Sequence, residues 1–247
     1  MDLTIIAIFS PKGGVGKTTI AVNLAWCAAR QGAPVLLWEI DPQRGASYLL
    51  GEDDLPSKPV LPVFARERAV QSAIVATEID HLDLLPADNS LLKLDSFFAR
   101  LGKKRRLARL ASELEQSYGT IFLDCPPSMN EVGQQILRAA DLVIVPLSPS
   151  PLARRALDEV MRQLRASAKS SALVLPVFSM IDRRRGLHRA ACAAQPEWPV
   201  IPMSSMIEKV AVQRAPIGTF NGECLAADAF TNLWAAIDRK LGSLSQP

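Results

Sequence analysis

At 247 residues, with 49% apolar and 21% charged side chains, the chain can bury a full α/β core, which excludes a disordered or low-complexity protein. A net charge of +3 permits contact with nucleic acid or acidic lipid but does not mark a dedicated polyanion binder. Four scattered cysteines (Cys27, Cys125, Cys192, Cys224) and two histidines (His81, His188) offer no CxxC pair and no His-rich set, so zinc, iron–sulfur and disulfide frameworks find no support.

In chain order, Leu3 to Phe9 is a β-branched apolar run that predicts a strand covered on both faces. No basic region precedes it, and no stretch reaches the roughly 18 apolar residues of a membrane span, so a cytoplasmic protein without a signal peptide is expected. Helix is predicted from Thr18 to Arg30, stopped by Gly32, and a second strand from Pro34 to Ile40. A weaker strand follows at Leu82 to Leu85, then a long helical stretch from Leu91 to Gln116 with a break at Gly102. Thr120 to Leu123 predicts a strand ending at Asp124. Helices at Glu131 to Ala139 and Pro151 to Ala166 alternate with strands at Leu142 to Leu147 and Ala172 to Phe178. A short strand at Val200 and Ile201, a helix from Met206 to Gln213 and a closing helix from Leu225 to Leu241 complete the order.

Strands alternating with helices imply βαβ units, hence an α/β fold with a mostly parallel sheet and helices on both faces. The least regular segment, Gly51 to Asp80, reads as an elaborated crossover, and no repeat or linker divides the chain. Residues 1–247 are therefore expected to form one domain, with 242–247 a frayed tail.

The chemistry concentrates between the first strand and the first helix. Lys12, Gly13, Gly14, Val15, Gly16, Lys17, Thr18 and Thr19 form a glycine-rich loop whose backbone N–H groups can turn inward onto phosphate oxygens at a helix N-terminus. Lys17 can reach the β- and γ-phosphates of a nucleotide, the Thr18 hydroxyl can ligate Mg²⁺, and Thr19 is placed for a further phosphate contact. Pro11 stands where the usual phosphate-loop pattern has glycine, so the chain fits another form, K-G-G-x-G-K-[ST]-[ST].

That deviant Walker A box resembles the ParA/MinD family of dimeric P-loop ATPases, and the likeness extends over most of the chain. Glu39-Ile40-Asp41-Pro42-Gln43 is similar to the family's D-x-D-P-Q box, with Glu39 keeping the first charge on a longer arm. Thr120 to Ser128 resembles its Walker B strand with the following D-C-P-P-S. Ala140 to Pro146, Met180 to Arg184 and Ile201-Pro202 match further segments. The resemblance implies ATP and Mg²⁺ as ligands. It implies that Lys12 reaches the phosphates of a partner across an ATP-bound homodimer, that Asp41 positions the attacking water and helps hold the metal shell, and that Asp124 holds Mg²⁺. On the residues alone, Lys12 also reads as a solvated loop lysine, Asp41 as a turn cap before Pro42, and Asp124 as a buried helix-capping carboxylate. Cys125 reads as a small buried apolar residue rather than a thiol reagent.

Members of the family partition DNA or position cargo, binding nonspecific DNA or membrane, with hydrolysis stimulated by a ParB-like or other partner. Only a dozen residues precede Gly13, so the short type without an N-terminal helix-turn-helix is expected, nucleoid-associated when bound to DNA. Phe230, Leu233, Trp234, Ile237 and Leu241 share one face of the closing helix, which favours core packing over a membrane anchor. Met203 and Met206 replace two cations common in DNA-binding relatives. Arg183, Arg184, Arg185, Arg189, Lys209 and Arg214 are either substitute phosphate contacts or solvated charges, and the run Lys103-Lys104-Arg105-Arg106 with Arg109 reads as a partner contact or a solvated face. The other readings are a MinD-like membrane-associated ATPase and an ATP-dependent small-molecule ligase of the same superfamily, such as dethiobiotin or cobyrinate synthetase.

Overall fold

The computed structural model describes residues 3–54, 56, 58–102, 105–166 and 172–244. Eight strands form one sheet: β1 (Thr4–Ile8), β2 (Val35–Glu39), β3 (Val75–Ala76), β4 (Leu82–Leu85), β5 (Thr120–Asp124), β6 (Leu142–Leu147), β7 (Leu173–Ile181) and β8 (Val200–Pro202). Their spatial order is β3-β4-β2-β5-β1-β6-β7-β8, parallel throughout except for β3, which runs against β4. The expected sheet is therefore present, and the three central strands β2, β5 and β1 all end where their motif residues begin.

Strand periodicity divides the core in two. Along β1, Ile5, Ala7 and Phe9 enter one cluster while Ile6 and Ile8 enter the other. On β2, Leu36 and Trp38 face the first cluster and Val35 and Leu37 the second. Burial of both faces explains why these strands read as unbroken apolar runs. The first cluster is covered by α3 (Leu61–Ala65), α4 (Leu94–Leu101), α5 (Arg106–Ser112), α6 (Glu131–Ala139) and α7 (Pro151–Ala166). The second is covered by α1 (Lys17–Ala29), α2 (Gly45–Leu49), α9 (Ser205–Gln213), α10 (Ile217–Phe220) and α11 (Leu225–Leu244).

Proline placement confirms the strand assignments. The Leu173 N–H donates to the Asp141 carbonyl on the β6 side, while the Phe178 N–H donates to the Pro199 carbonyl on the β8 side. Pro176 shares the orientation of Phe178 but lies before β8 begins, so its missing donor costs no ladder bond and blunts an open edge.

Several boundaries differ from expectation. The stretch from Leu91 to Gln116 is a short 3-10 turn (Asn89–Lys93) followed by α4 and α5, with Gly102 ending α4. The crossover from Gly51 to Asp80 carries α3, a second 3-10 turn (Val70–Ala73) and β3. A helix absent from the sequence reading, α8 (Gly186–Ala194), follows β7. The closing helix α11 continues through Gly242 to Leu244, past the expected end at Leu241. It is a core helix: Phe230, Leu233, Trp234 and Ile237 are all buried, and the Trp234 ring lies 5.7 Å from that of Phe122.

The helix that carries the phosphate loop is held from behind by α10. Asn23 donates to the Thr19 carbonyl (2.8 Å) and accepts from the Ile217 N–H (2.8 Å) in a fully buried bridge. Beside it the Trp26 ring packs against Gly218, where an added Cβ would fall 1.9 Å from the ring. Replacing Gly218 by alanine should therefore overpack this joint and cost about 1–3 kcal/mol. Urea denaturation at neutral pH measures this, and an unchanged midpoint would show that the contact is slack.

Candidate nucleotide-binding site

The loops after β1, β2 and β5 converge at the carboxyl edge of the sheet, the usual place for ligands of open α/β sheets. Between β1 and α1 the backbone turns through Gly14 (φ 68°) and Gly16 (φ 82°), both in the left-handed region that side chains resist. Val15 is buried and anchors the loop between them. Gly16 caps α1, and no side chain closes that helix end or places an acid in its first turn. The first-turn N–H groups are thus left for an anion. Ser179 on β7 flanks the loop, its Oγ 3.2 Å from where a Gly16 Cβ would be.

The two lysines of the loop occupy different environments. Lys17 is buried at 8% exposure, and its Nζ donates only to the Lys12 carbonyl, at 3.4 Å. Burial holds the Lys17 pKa below its ordinary value, while Asp124, Cys125 and Asp41 pull it back up. A buried ammonium with one long hydrogen bond is under-satisfied, and a phosphate oxygen would complete it. Lys12 is half-buried, and its Nζ donates to the Ser148 hydroxyl after β6 at 3.5 Å, while its N–H donates to Ser10 Oγ at 3.4 Å.

Asp124 is the buried acid of the site, with no exposed surface. Thr18 Oγ1 donates to its Oδ1 at 3.3 Å, and its Oδ2 is buried with no partner. Burial, then the charges of Glu39 and Asp41, push its pKa up to about 8 against the favourable pull of Thr18 and Lys17. Cys125 beside it is also fully buried, and burial pushes its thiol pKa well up, so it stays a neutral filler.

Asp41 lies at the surface of the same floor. Its Oδ1 accepts from the Gln43 N–H (2.9 Å) and its carbonyl from the Arg44 N–H (3.1 Å), so the turn-capping bonds are present while its second oxygen stays outside them. Arg44 takes a left-handed backbone (φ 58°) and holds the carbonyls of Glu52, Asp53 and Asp54.

The donor set suits a hydrated Mg²⁺ with a nucleotide phosphate: one hydroxyl, an orphaned carboxylate oxygen and a second carboxylate nearby, with water filling the other positions. Thr18, Asp41 and Asp124 are the residues that would hold it. Of the loop residues named from sequence, Thr19 lends its carbonyl to Asn23. Ser148, Ser179 and Gly45 join the site without any motif to announce them. A groove of about 940 Å³ at the opposite edge, lined by Leu3, Tyr118 and Asp141, lies far from this chemistry.

Several of the candidate phosphate contacts elsewhere are already held within the chain. Arg184 is held by Asp182 (2.9 and 3.1 Å) and Arg189 by the carbonyls of Arg183 and Arg184. Arg214 is bound to both oxygens of Asp53 (2.6 and 2.7 Å) and stacks on Tyr48, so it is a structural cation rather than a free one. Arg183, Arg185 and Lys209 remain exposed. In the other run, Arg106 is buried, Arg105 and Arg109 are exposed, and Lys103 and Lys104 lie outside the described residues.

Because the folded state raises the Asp124 pKa, that carboxyl binds its proton more tightly folded than unfolded. Its contribution to stability is fully present below the unfolded value near 4 and is lost as pH rises through about 8. Ligand-free protein should lose on the order of 1 kcal/mol per pH unit between pH 5 and 7.5 from this group. Comparing denaturation midpoints of wild type and Asp124→Asn across that range tests this; parallel curves would refute it.

Comparison with known proteins agrees with this geometry. The AAA domain family matches residues 3–174. The chromosome partitioning protein ParA of Caulobacter vibrioides is 33% identical over 249 residues, covering 94% of this chain and 92% of that protein. Among solved structures, cobyrinic acid a,c-diamide synthase from Mycobacterium smegmatis, with bound ATP analog and magnesium, is 26% identical with a TM-score of 0.81, covering 98% of this chain and 96% of that one. The cell division ATPase MinD of Pyrococcus furiosus is 26% identical with a TM-score of 0.77, covering 96% and 98%. On the strength of these matches and of the loop itself, the chain belongs to the ParA/MinD family of P-loop ATPases.

Proposed function

We propose that this chain binds ATP with Mg²⁺, dimerises around the nucleotide, and hydrolyses it to ADP and phosphate in order to partition DNA or position a cargo complex on nonspecific DNA. The observation that carries the reading is the pairing of an under-satisfied buried Lys17 with the Thr18–Asp124 couple and its orphaned oxygen. The loop N–H groups and Lys17 bind the β- and γ-phosphates. Bound Mg²⁺ would neutralise phosphate charge and satisfy the Asp124 oxygen. Asp41 positions the attacking water. Lys12, half-buried and held by a single weak contact to Ser148, is free to swing toward a second chain, where a cation stabilises charge on the transferring phosphoryl group. A ParB-like partner that fixes this arrangement would stimulate turnover.

The membrane-associated reading has less support, because the apolar face of α11 is already used in the core. Among the described residues no helix is long and apolar enough to cross a membrane. The ligase reading keeps one specific point in its favour, the likeness to the diamide synthase. A ligase would turn over ATP only with a carboxylate substrate present, whereas the switch ATPase has basal hydrolysis.

Asp41→Ala should bind ATP and remain dimeric in light scattering while hydrolysing on the order of a hundredfold more slowly. Lys12→Ala should lose the ATP-dependent dimer. Both wild type and Asp41→Ala should bind random-sequence duplex in ATP, with affinity falling steeply as salt is raised, as phosphate contacts require. Binding to liposomes with none to DNA at low salt would sink the partition reading.

A further inference from the structure

Glu39 is a buried carboxylate that the hydrolysis scheme leaves unused. It has no exposed surface, and its charge stands close enough to Asp124 to oppose ionisation there. A second buried acid in such a place is unfavourable unless it is fully hydrogen-bonded. Here it is. Oε1 accepts from the N–H groups of Ala46 (2.7 Å) and Ser47 (3.2 Å), and Oε2 accepts from the Ser47 hydroxyl (2.5 Å) and the Ala87 N–H (3.1 Å). One side chain thus ties the first turn of α2 to the segment after β4.

The first residue of α2 is Gly45, and it lies against Thr18. A Cβ built on Gly45 would be 3.1 Å from Thr18 Cγ2 and 3.4 Å from Thr18 Oγ1. The turn that carries Asp41 runs directly into the same helix, through the Arg44 N–H on the Asp41 carbonyl and the Tyr48 N–H on the Arg44 carbonyl. We infer that Glu39 is a positioning residue of the nucleotide site, a clamp that presses α2 against the Thr18 side chain and holds the Asp41 turn above Asp124. The longer glutamate arm matters because the donors it gathers sit on two separate segments, at 46–47 and at 87. The inference rests on the nucleotide-site reading and deepens it, because Glu39 touches neither phosphate nor metal in this scheme.

The clamp predicts a particular split. Glu39→Gln keeps one oxygen for the Ala46 and Ser47 N–H groups but turns an NH₂ toward donors, so it cannot satisfy both Ser47 and Ala87 as acceptor. Gly45→Ala leaves Glu39 intact and crowds Thr18 directly. Both variants should bind ADP without Mg²⁺ within about twofold of wild type, since the loop and Lys17 are untouched. Both should lose most of the Mg²⁺-dependent gain in ADP affinity, about tenfold, as groups that orient metal ligands do. Their kcat should fall by a similar factor.

The test is titration of a fluorescent ADP analogue with and without Mg²⁺, alongside turnover and thermal melts. Equal losses in Mg²⁺-free and Mg²⁺-dependent binding would make Glu39 a general fold stabiliser and overturn the clamp. Unaltered Mg²⁺ dependence in both variants would overturn it as well. If Glu39→Gln fails to fold, Ser47→Ala, which removes only the hydroxyl donor to Oε2, takes its place and is read by the same outcomes. A wild type that binds Mg²⁺-ADP but does not hydrolyse ATP would sink the ATPase reading, while the binding titration still decides the clamp.

Discussion

The site is organised around a carboxyl group that the fold buries and leaves with one oxygen unpartnered. Asp124 ends a central strand under complete burial, with Glu39 and Asp41 at the end of the neighbouring strand and one oxygen unpartnered. Removing such a group from water is unfavourable in any ligand-free fold. Lys17 offsets part of this, but it too is buried, with a single long hydrogen bond of 3.4 Å. A buried ammonium and a buried carboxyl are therefore held in one floor with neither fully hydrogen-bonded. A cation bound to a polyanion supplies both missing partners at once, so the strain of the free state becomes binding energy for the ligand.

The surrounding structure exists to keep that arrangement from relaxing. Two of the strands involved, β1 and β5, pair residue for residue from Thr4 with Thr120 to Ile8 with Asp124, so the loop and the acid cannot slip relative to one another. Behind the loop, Asn23 and the Trp26–Gly218 contact fix α1 to α10. To one side, Ser179 closes on Gly16; to the other, α2 closes on Thr18. Apart from the Trp26 ring, each joint is between backbone or short side chains, where small displacements are resisted strongly.

Much of this was legible in the sequence, and the reason is locality. The βαβ alternation is written in apolar runs, and the phosphate loop is eight consecutive residues whose glycines and lysines fix the chemistry. Apart from the nine-residue α8, what escaped was either short or nonlocal. Helices α2, α3 and α10 span four or five residues, too few for periodicity to register. The Arg214–Asp53 pair joins residues 161 apart, so Arg214 read as a free cation when it is a latch. Glu39 read only as a longer-armed variant of an acidic box, because its partners at 46, 47 and 87 become neighbours only in the fold. The basic run at 103–109 failed for a related reason: one strand of charge in sequence becomes an inward Arg106 and outward Arg105 and Arg109 once a helix winds it.

The two lysines of the loop show how one backbone serves two chemistries. The Lys12 carbonyl accepts from Lys17 Nζ, so the residue that would act on a partner chain also helps seat the lysine that acts on its own nucleotide. A phosphate displacing that carbonyl would free the Lys12 segment just as the nucleotide arrives. The Lys12 side chain is meanwhile held only by Ser148, at 3.5 Å, a contact weak enough to yield to a phosphate. Under the proposed dimer, nucleotide binding in one chain and release of Lys12 toward the other are then coupled through a single peptide carbonyl. The coupling needs no long-range rearrangement, only the exchange of one weak hydrogen bond for a charge-assisted one.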